Sequence, residues 1–132
     1  EMITLINFWE QTEDTFVSRL KRLERLGQES TRIHIDLQES GFGDIETIMP
    51  EKWSEFSDSV DADIHLMVEK PEDWLSEVSL KKYVRRVVGQ IEKIDDVSDW
   101  IKKCIDVSVV PGICIDYPTS VKESEDKIHK FN

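Results

Sequence analysis

The chain has 132 residues and a formal net charge of −11, with 17 basic and 28 acidic side chains, and this length favours a single domain over residues 1–132. So acidic a surface argues against binding to nucleic acid, because phosphate backbones require clustered lysine and arginine. No apolar run reaches the ~20 residues of a membrane helix, and no signal peptide is visible, so we expect a cytoplasmic protein without a membrane partner.

The chain alternates between patterns typical of strands and of helices. The first helix is predicted from Thr12, carries the apolar stripe Phe16, Leu20, Leu23 and Leu26, and ends at Gly27. A second is predicted to begin at Pro50 and to bury Trp53 and Phe56. Further helices are predicted over 71–78, 95–105 and 119–131, the last with Val121, Ile128 and Phe131 as its apolar side. Strands are predicted over 2–8, 32–37, 63–68, 85–92 and 109–116.

Five strand–helix units in this order predict a parallel sheet covered by helices. Each unit spans ~25 residues, a spacing found both in barrels and in open doubly wound sheets, so the period alone does not decide between them. The two cysteines, Cys104 and Cys114, fall on a helix stripe and in a strand. We expect both to be buried thiols in a reducing compartment.

Each predicted strand has one aliphatic face and one face with a polar residue near its carboxyl end. In the second strand, for example, Ile33 and Ile35 alternate with His34 and Asp36. Because parallel α/β folds place their sites at the carboxyl ends of strands, these polar residues are expected to converge. The full set is Asn7, His34, Asp36, His65, Met67, Gln90, Glu92, Cys114 and Asp116.

His34, Asp36 and His65 have a specific chemical interpretation. Two imidazoles and a carboxylate from neighbouring strands can hold a divalent transition metal, which would stabilise the oxyanion of an enediolate. Asp36 is then also a candidate general base. The H-x-D spacing by itself is a weak motif, and a hydrogen-bonded group of strand-end polar residues would explain it equally well.

Several longer strings resemble the ribulose-phosphate 3-epimerase family. They are "HIDLQESGF", "DIHLMVEKPEDWL", "GQIE" and "GICIDYPTSV", and the similarity spans the chain, strongest from His34 to Trp74. The resemblance implies a (β/α)8 barrel and an isomerase that epimerises C3 of a pentulose 5-phosphate. It makes His34, Asp36 and His65 ligands of one divalent metal per chain (Zn, Fe or Mn), with Asp36 also an acid/base group. Met67 would belong to a sulfur-lined wall, and Asn7 and Gln90 would occupy substrate-contact positions.

The chain also departs from the pattern of that family. Gln38, Glu39 and Ser40 replace a methionine, an aspartate and a glycine, and Asp116–Tyr117 replaces an asparagine–proline pair. Five units are present where a complete barrel has eight. The second acid/base aspartate and the glycine-rich phosphate loops are therefore expected to be missing.

Three hypotheses follow. The chain is a piece of a divergent epimerase-like enzyme, a natural half-barrel that pairs with a second copy, or a non-catalytic relative that binds a partner or ligand. The ligand would be a sugar phosphate or a small polar molecule, and a homodimer would cover the open sheet edges. A flavodoxin-like five-stranded parallel sheet is the alternative fold, which needs no partner.

Overall fold

The fold alternates strands and helices as the sequence pattern predicts. The computed structural model describes residues 6–25, 31–53, 55, 60–116 and 118–129, and within these ranges it contains five strands and four α-helices. Between β2 and β3 the described residues contain a 3₁₀ turn, Pro50–Lys52, and a second such turn, Ile91–Lys93, follows β4. The elements are β1 (Ile6–Phe8), α1 (Glu13–Arg25), β2 (Thr31–Gln38), β3 (Val60–Met67), α2 (Pro71–Ser79), β4 (Val84–Gln90), α3 (Val97–Asp106), β5 (Val110–Cys114) and α4 (Val121–His129).

All five strands are parallel, and their order in the sheet is β1-β2-β3-β4-β5. Sequential order is the arrangement of a (β/α) barrel, whereas a flavodoxin-like sheet has the order 2-1-3-4-5. The flavodoxin-like alternative is therefore wrong. Among the described strands, β1 and β5 each have one neighbour, so the sheet is not closed and the prediction of a partial barrel is confirmed.

The hydrophobic core lies between the helices and one face of the sheet. On β2, Ile33, Ile35 and Leu37 are buried, and Ile64 and Leu66 continue the same face on β3. This confirms the predicted aliphatic faces of both strands. The helices add their apolar stripes, namely Phe16, Leu20, Leu23, Leu75, Val78, Val97, Trp100 and Cys104.

The helix starts follow the capping signals in the sequence. Before α1, the Thr12 side chain accepts a hydrogen bond from the backbone N of Thr15 at 3.2 Å, and before α3 the Asp96 side chain accepts one from Asp99 N at 3.1 Å. Helix α2 begins on Pro71. The predicted end of the first helix, at Leu26 and Gly27, lies outside the described residues.

The predicted helix at Pro50 is wrong. In the described part of this segment a single 3₁₀ turn, Pro50–Lys52, takes the place of the helix, and Trp53 follows the turn with an extended backbone. Trp53 is buried as expected, but its indole Nε1 donates to the carbonyl of Ile48 at 3.0 Å, and its own carbonyl accepts from Lys81 Nζ at 3.2 Å. These tertiary contacts outweigh the local helical pattern. Phe56 lies outside the described residues.

The last two predicted strands and the last helix also need correction. Glu92 lies in a 3₁₀ turn instead of in the fourth strand, and the fifth strand is shorter than predicted because it ends at Cys114. On α4, Val121 and Ile128 are 66% and 40% exposed, so they do not form a buried stripe. Phe131 and Tyr117 lie outside the described residues.

Two further observations concern the helices and the thiols. None of the helices within the described ranges is long and apolar enough to cross a membrane. Cys104 and Cys114 are both free, the first buried and the second half-buried. Both cysteines are therefore free thiols as expected, but only Cys104 is buried as predicted.

Candidate metal centre

The three predicted ligands lie together on the sheet face that is turned away from the helices. His34 and Asp36 alternate with the buried aliphatic residues of β2, and His65 does the same on β3. The register places Asp36 directly opposite His65. One potential ligand atom from each residue lies within 4.8 Å of the others, and in the described part of the chain no other such cluster of three occurs.

Asp36 is the centre of this cluster. Its Oδ1 accepts hydrogen bonds from His34 Nε2 and from His65 Nδ1, each at 3.1 Å. The two imidazole rings are tilted by 53° with their centroids 5.8 Å apart. The side chains remain 27%, 11% and 16% exposed for His34, Asp36 and His65, so the cluster is partly shielded but accessible from one side.

The surroundings of Asp36 favour its ionised form. Burial alone raises the pKa of a carboxyl group, but the hydrogen bonds from His34, His65 and Asn7, and then the charge of His34, outweigh burial and lower the pKa of Asp36 far below its usual value. Asp36 is thus held as a carboxylate anion, the form that binds a cation. Two imidazole nitrogens and one carboxylate oxygen fit Zn²⁺, Fe²⁺ or Mn²⁺ as a donor set.

The structure brings the three residues expected to contact substrate to the same face. Asn7 on β1 is exposed, pairs in register with His34, and lies close enough to Asp36 to help lower the pKa of that carboxyl group. Met67 lies two residues beyond His65 on β3 and is half-buried. Gln90, at the end of β4, is buried, and its Nε2 lies 3.2 Å from His65 Nε2.

Sequence analysis missed a charged layer directly beneath the cluster. Asp63 precedes His65 by two residues and accepts hydrogen bonds from Arg32 Nε and Nη2 and from Arg86 Nη1. Arg32 in turn precedes His34 by two residues. The same alternation that located the histidines was the available signal, but these three residues lie towards the starts of their strands, whereas sites in parallel α/β folds are expected at the carboxyl ends.

The replaced segment 38–40 is tied to neighbouring loops. Gln38 N donates to Thr47 Oγ1 at 2.9 Å, and Glu39 Oε1 accepts from Glu69 N at 2.6 Å. Glu69 also forms an ion pair with Lys93 at 2.7 Å. These contacts form the rim above the candidate metal centre.

Comparison with known proteins agrees with this geometry. The model of the ribulose-phosphate 3-epimerase family matches residues 13–132, which covers four of the five strands and all four helices of the described structure. No curated protein matches the chain. Since the family match extends over far more than half of the sequence, and the His-Asp-His cluster lies on adjoining strands of a barrel-type sheet, the chain belongs to the ribulose-phosphate 3-epimerase family.

Proposed function

We propose that this chain provides the metal-binding and first proton-transfer half of an epimerase site, acting at C3 of a pentulose 5-phosphate or a related sugar phosphate. The family is metal-dependent and binds sugar phosphates. The observation that carries the proposal is the convergence of His34 and His65 on one oxygen of Asp36. Three donors of the right chemical types are thereby brought together without further rearrangement of the sheet.

Each residue has a defined task in this proposal. His34, Asp36 and His65 would hold a single Zn²⁺, Fe²⁺ or Mn²⁺ ion, which when bound supplies Lewis-acid stabilisation of negative charge on the substrate oxygens. The lowered pKa of Asp36 keeps its carboxylate ionised, which is the state it would need to accept the proton from C3. Asn7 and Met67 would line the substrate, Asn7 through its amide and Met67 through its sulfur.

The first experiment measures metal binding. We expect one Zn²⁺ or Mn²⁺ per chain by calorimetry and elemental analysis, and a large loss of affinity in His65→Ala and His34→Ala. The matched control is His129→Ala, because His129, in α4, is the third histidine of the chain. Absence of metal from the wild type, or an equal loss of affinity in the control, would contradict the metal site.

The second experiment tests the chemistry. Epimerisation needs proton transfer on both faces of an enediolate, and Asp36 serves only one face. When the metal is bound, we therefore expect deuterium from D₂O to replace the hydrogen at C3 of the substrate, while little of the epimeric product accumulates. The exchange is measured by NMR. Asp36→Asn should abolish this exchange and Asp61→Asn, on the same sheet, should not. Exchange that persists in Asp36→Asn would refute the assigned base.

A non-catalytic, self-associating module is the second candidate function. It is supported by the exposed edge of the sheet, where Val110 in β5 and Ile115 just after it are 52% and 39% exposed. An unpaired strand edge with exposed apolar side chains favours association with a second copy. Light scattering after gel filtration would detect such a dimer. If the metal-loaded chain causes no deuterium exchange at C3 of the sugar phosphate, this second function is favoured over the epimerase half-site.

A further inference from the structure

Gln90 holds a buried polar atom that the substrate-contact interpretation does not explain. The residue is 5% exposed, and its Oε1 is the one fully buried side-chain oxygen or nitrogen without a hydrogen-bond partner among the residues that the structure describes. The other end of the amide, Nε2, lies 3.2 Å from His65 Nε2. Because Oε1 has no partner that fixes it, the amide can present either its nitrogen or its oxygen to His65.

The two amide orientations correspond to two states of His65. With Nε2 towards the ring, Gln90 donates to His65 Nε2, so the ring proton lies on Nδ1 and is donated to Asp36 at 3.1 Å. With Oε1 towards the ring, Gln90 accepts from a proton on His65 Nε2, and Nδ1 carries a lone pair. That lone pair faces the carboxylate of Asp36, an unfavourable contact unless a cation lies between them.

We propose that Gln90 is a positioning residue that selects the metal-binding tautomer of His65. When a cation binds, the amide rotates so that Oε1 accepts from His65 Nε2–H, which fixes Nδ1 as the metal donor. One proton leaves Nδ1 and another is taken up at Nε2, both exchanged with water, so the imidazole stays neutral. Ligating histidines generally donate their second ring N–H to an oxygen acceptor, and here the acceptor is a rotatable amide. The inference rests on the proposed metal site.

The experiment uses Zn²⁺ as the probe and two measurements. The first measurement is ¹⁵N NMR of the wild type and needs no variant. The ring proton of His65 is expected on Nδ1 without metal and on Nε2 with Zn²⁺. By calorimetry, Gln90→Met, which has a similar length and no strong acceptor, is expected to weaken Zn²⁺ binding about tenfold or more. Gln90→Glu keeps an oxygen acceptor and should bind Zn²⁺ at least as tightly as the wild type.

The control is Val88→Ala, because Val88 pairs in register with His65 on the neighbouring strand but offers no polar side chain. The affinity of this variant for Zn²⁺ should lie within about twofold of the wild-type affinity. Loss of a hydrogen-bond acceptor for a ligating histidine has a larger effect, of about tenfold or more. A purely structural role would make Gln90→Glu at least as harmful as Gln90→Met, and that result would overturn the inference. So would a His65 proton that stays on Nδ1 in the Zn²⁺ complex. Failure of the wild type to bind Zn²⁺ would instead refute the proposed metal site itself.

Discussion

Neutralising Asp63 should destabilise the protein much more than neutralising its neighbour Asp61. The Asp63 carboxylate accepts from Arg32 at 2.8, 3.0 and 3.2 Å and from Arg86 at 3.4 Å. Its side chain is 7% exposed, whereas the two arginines are 36% and 40% exposed. Asp63 thus joins three neighbouring strands directly beneath the metal centre.

The size of the effect follows from these exposures. Two unit charges ~4 Å apart attract by about 4 kcal/mol at an effective dielectric constant near 20, before the cost of desolvation is subtracted. Breaking a fully buried pair costs about 3–5 kcal/mol, and an exposed pair contributes about 0.2–1 kcal/mol. Because Asp63 is buried but both arginines keep water contact, we expect Asp63→Asn to lower the free energy of unfolding by about 1–3 kcal/mol.

Asp61→Asn is the matched control. Asp61 lies on β3, as Asp63 does, and pairs with Arg85 of β4 at 2.8 Å, but the side chains of Asp61 and Arg85 are 47% and 54% exposed. The expected cost is below about 0.5 kcal/mol. Urea unfolding followed by tryptophan fluorescence and circular dichroism measures both free energies. If the two variants lose the same stability within error, the layer around Asp63 contributes no more than a surface ion pair, and the reasoning from burial is refuted.

Three further outcomes are expected. Burial raises the pKa of Cys104 to about 12 and also raises the pKa of Cys114. At pH 8 a thiol reagent should therefore modify the half-buried Cys114 slowly, and Cys104 only after the protein is unfolded in urea. Mass spectrometry counts the modified cysteines. Gly89→Ala should lower the free energy of unfolding by about 1–3 kcal/mol through overpacking, because a Cβ atom at this position would lie 3.2 Å from Trp100 Cζ2. If urea unfolding shows a decrease below about 0.5 kcal/mol, the contact is not as tight as the structure indicates. Zn²⁺ at 100 times its Kd should stabilise the wild type by about 2.7 kcal/mol in thermal unfolding, and an equal stabilisation of Asp36→Asn would exclude Asp36 as a ligand.

The convergence of His34, Asp36 and His65 follows from the alternation along each strand and from the order of the strands in the sheet. Ile33 and Ile35 face the helices, so His34 and Asp36 had to share the opposite face, and a parallel neighbouring strand placed His65 beside them. Two quantities decide this arrangement, the period of two and the adjacency of consecutive strands. The period of two can be read from the sequence, whereas the adjacency of β2 and β3 depended on the resemblance to a barrel family, because the flavodoxin-like order 2-1-3-4-5 would separate these two strands.

Features that depend on register or on tertiary contacts were not predictable in the same way. The pairing of Asp63 with Arg32 needs the offset between β2 and β3, which no single strand encodes. At Pro50 the local pattern is helical, yet the hydrogen bond from the Trp53 indole to Ile48 favours an extended exit from the 3₁₀ turn. On α4, Ser124 is buried while Val121 is exposed, so spacing of apolar residues gave the wrong face.

The residues at the rim are held by different contacts from those of the candidate metal centre. The positions of His34, Asp36 and His65 are fixed by the sheet, since all three lie within regular strands in register. Glu39 lies just beyond β2, where its carboxylate binds the backbone N of Glu69 at the exit of β3. A substitution at position 39 therefore changes how two loops are held together while leaving the strand register intact. Substitutions at the rim can accordingly occur without disturbing the His-Asp-His cluster below it.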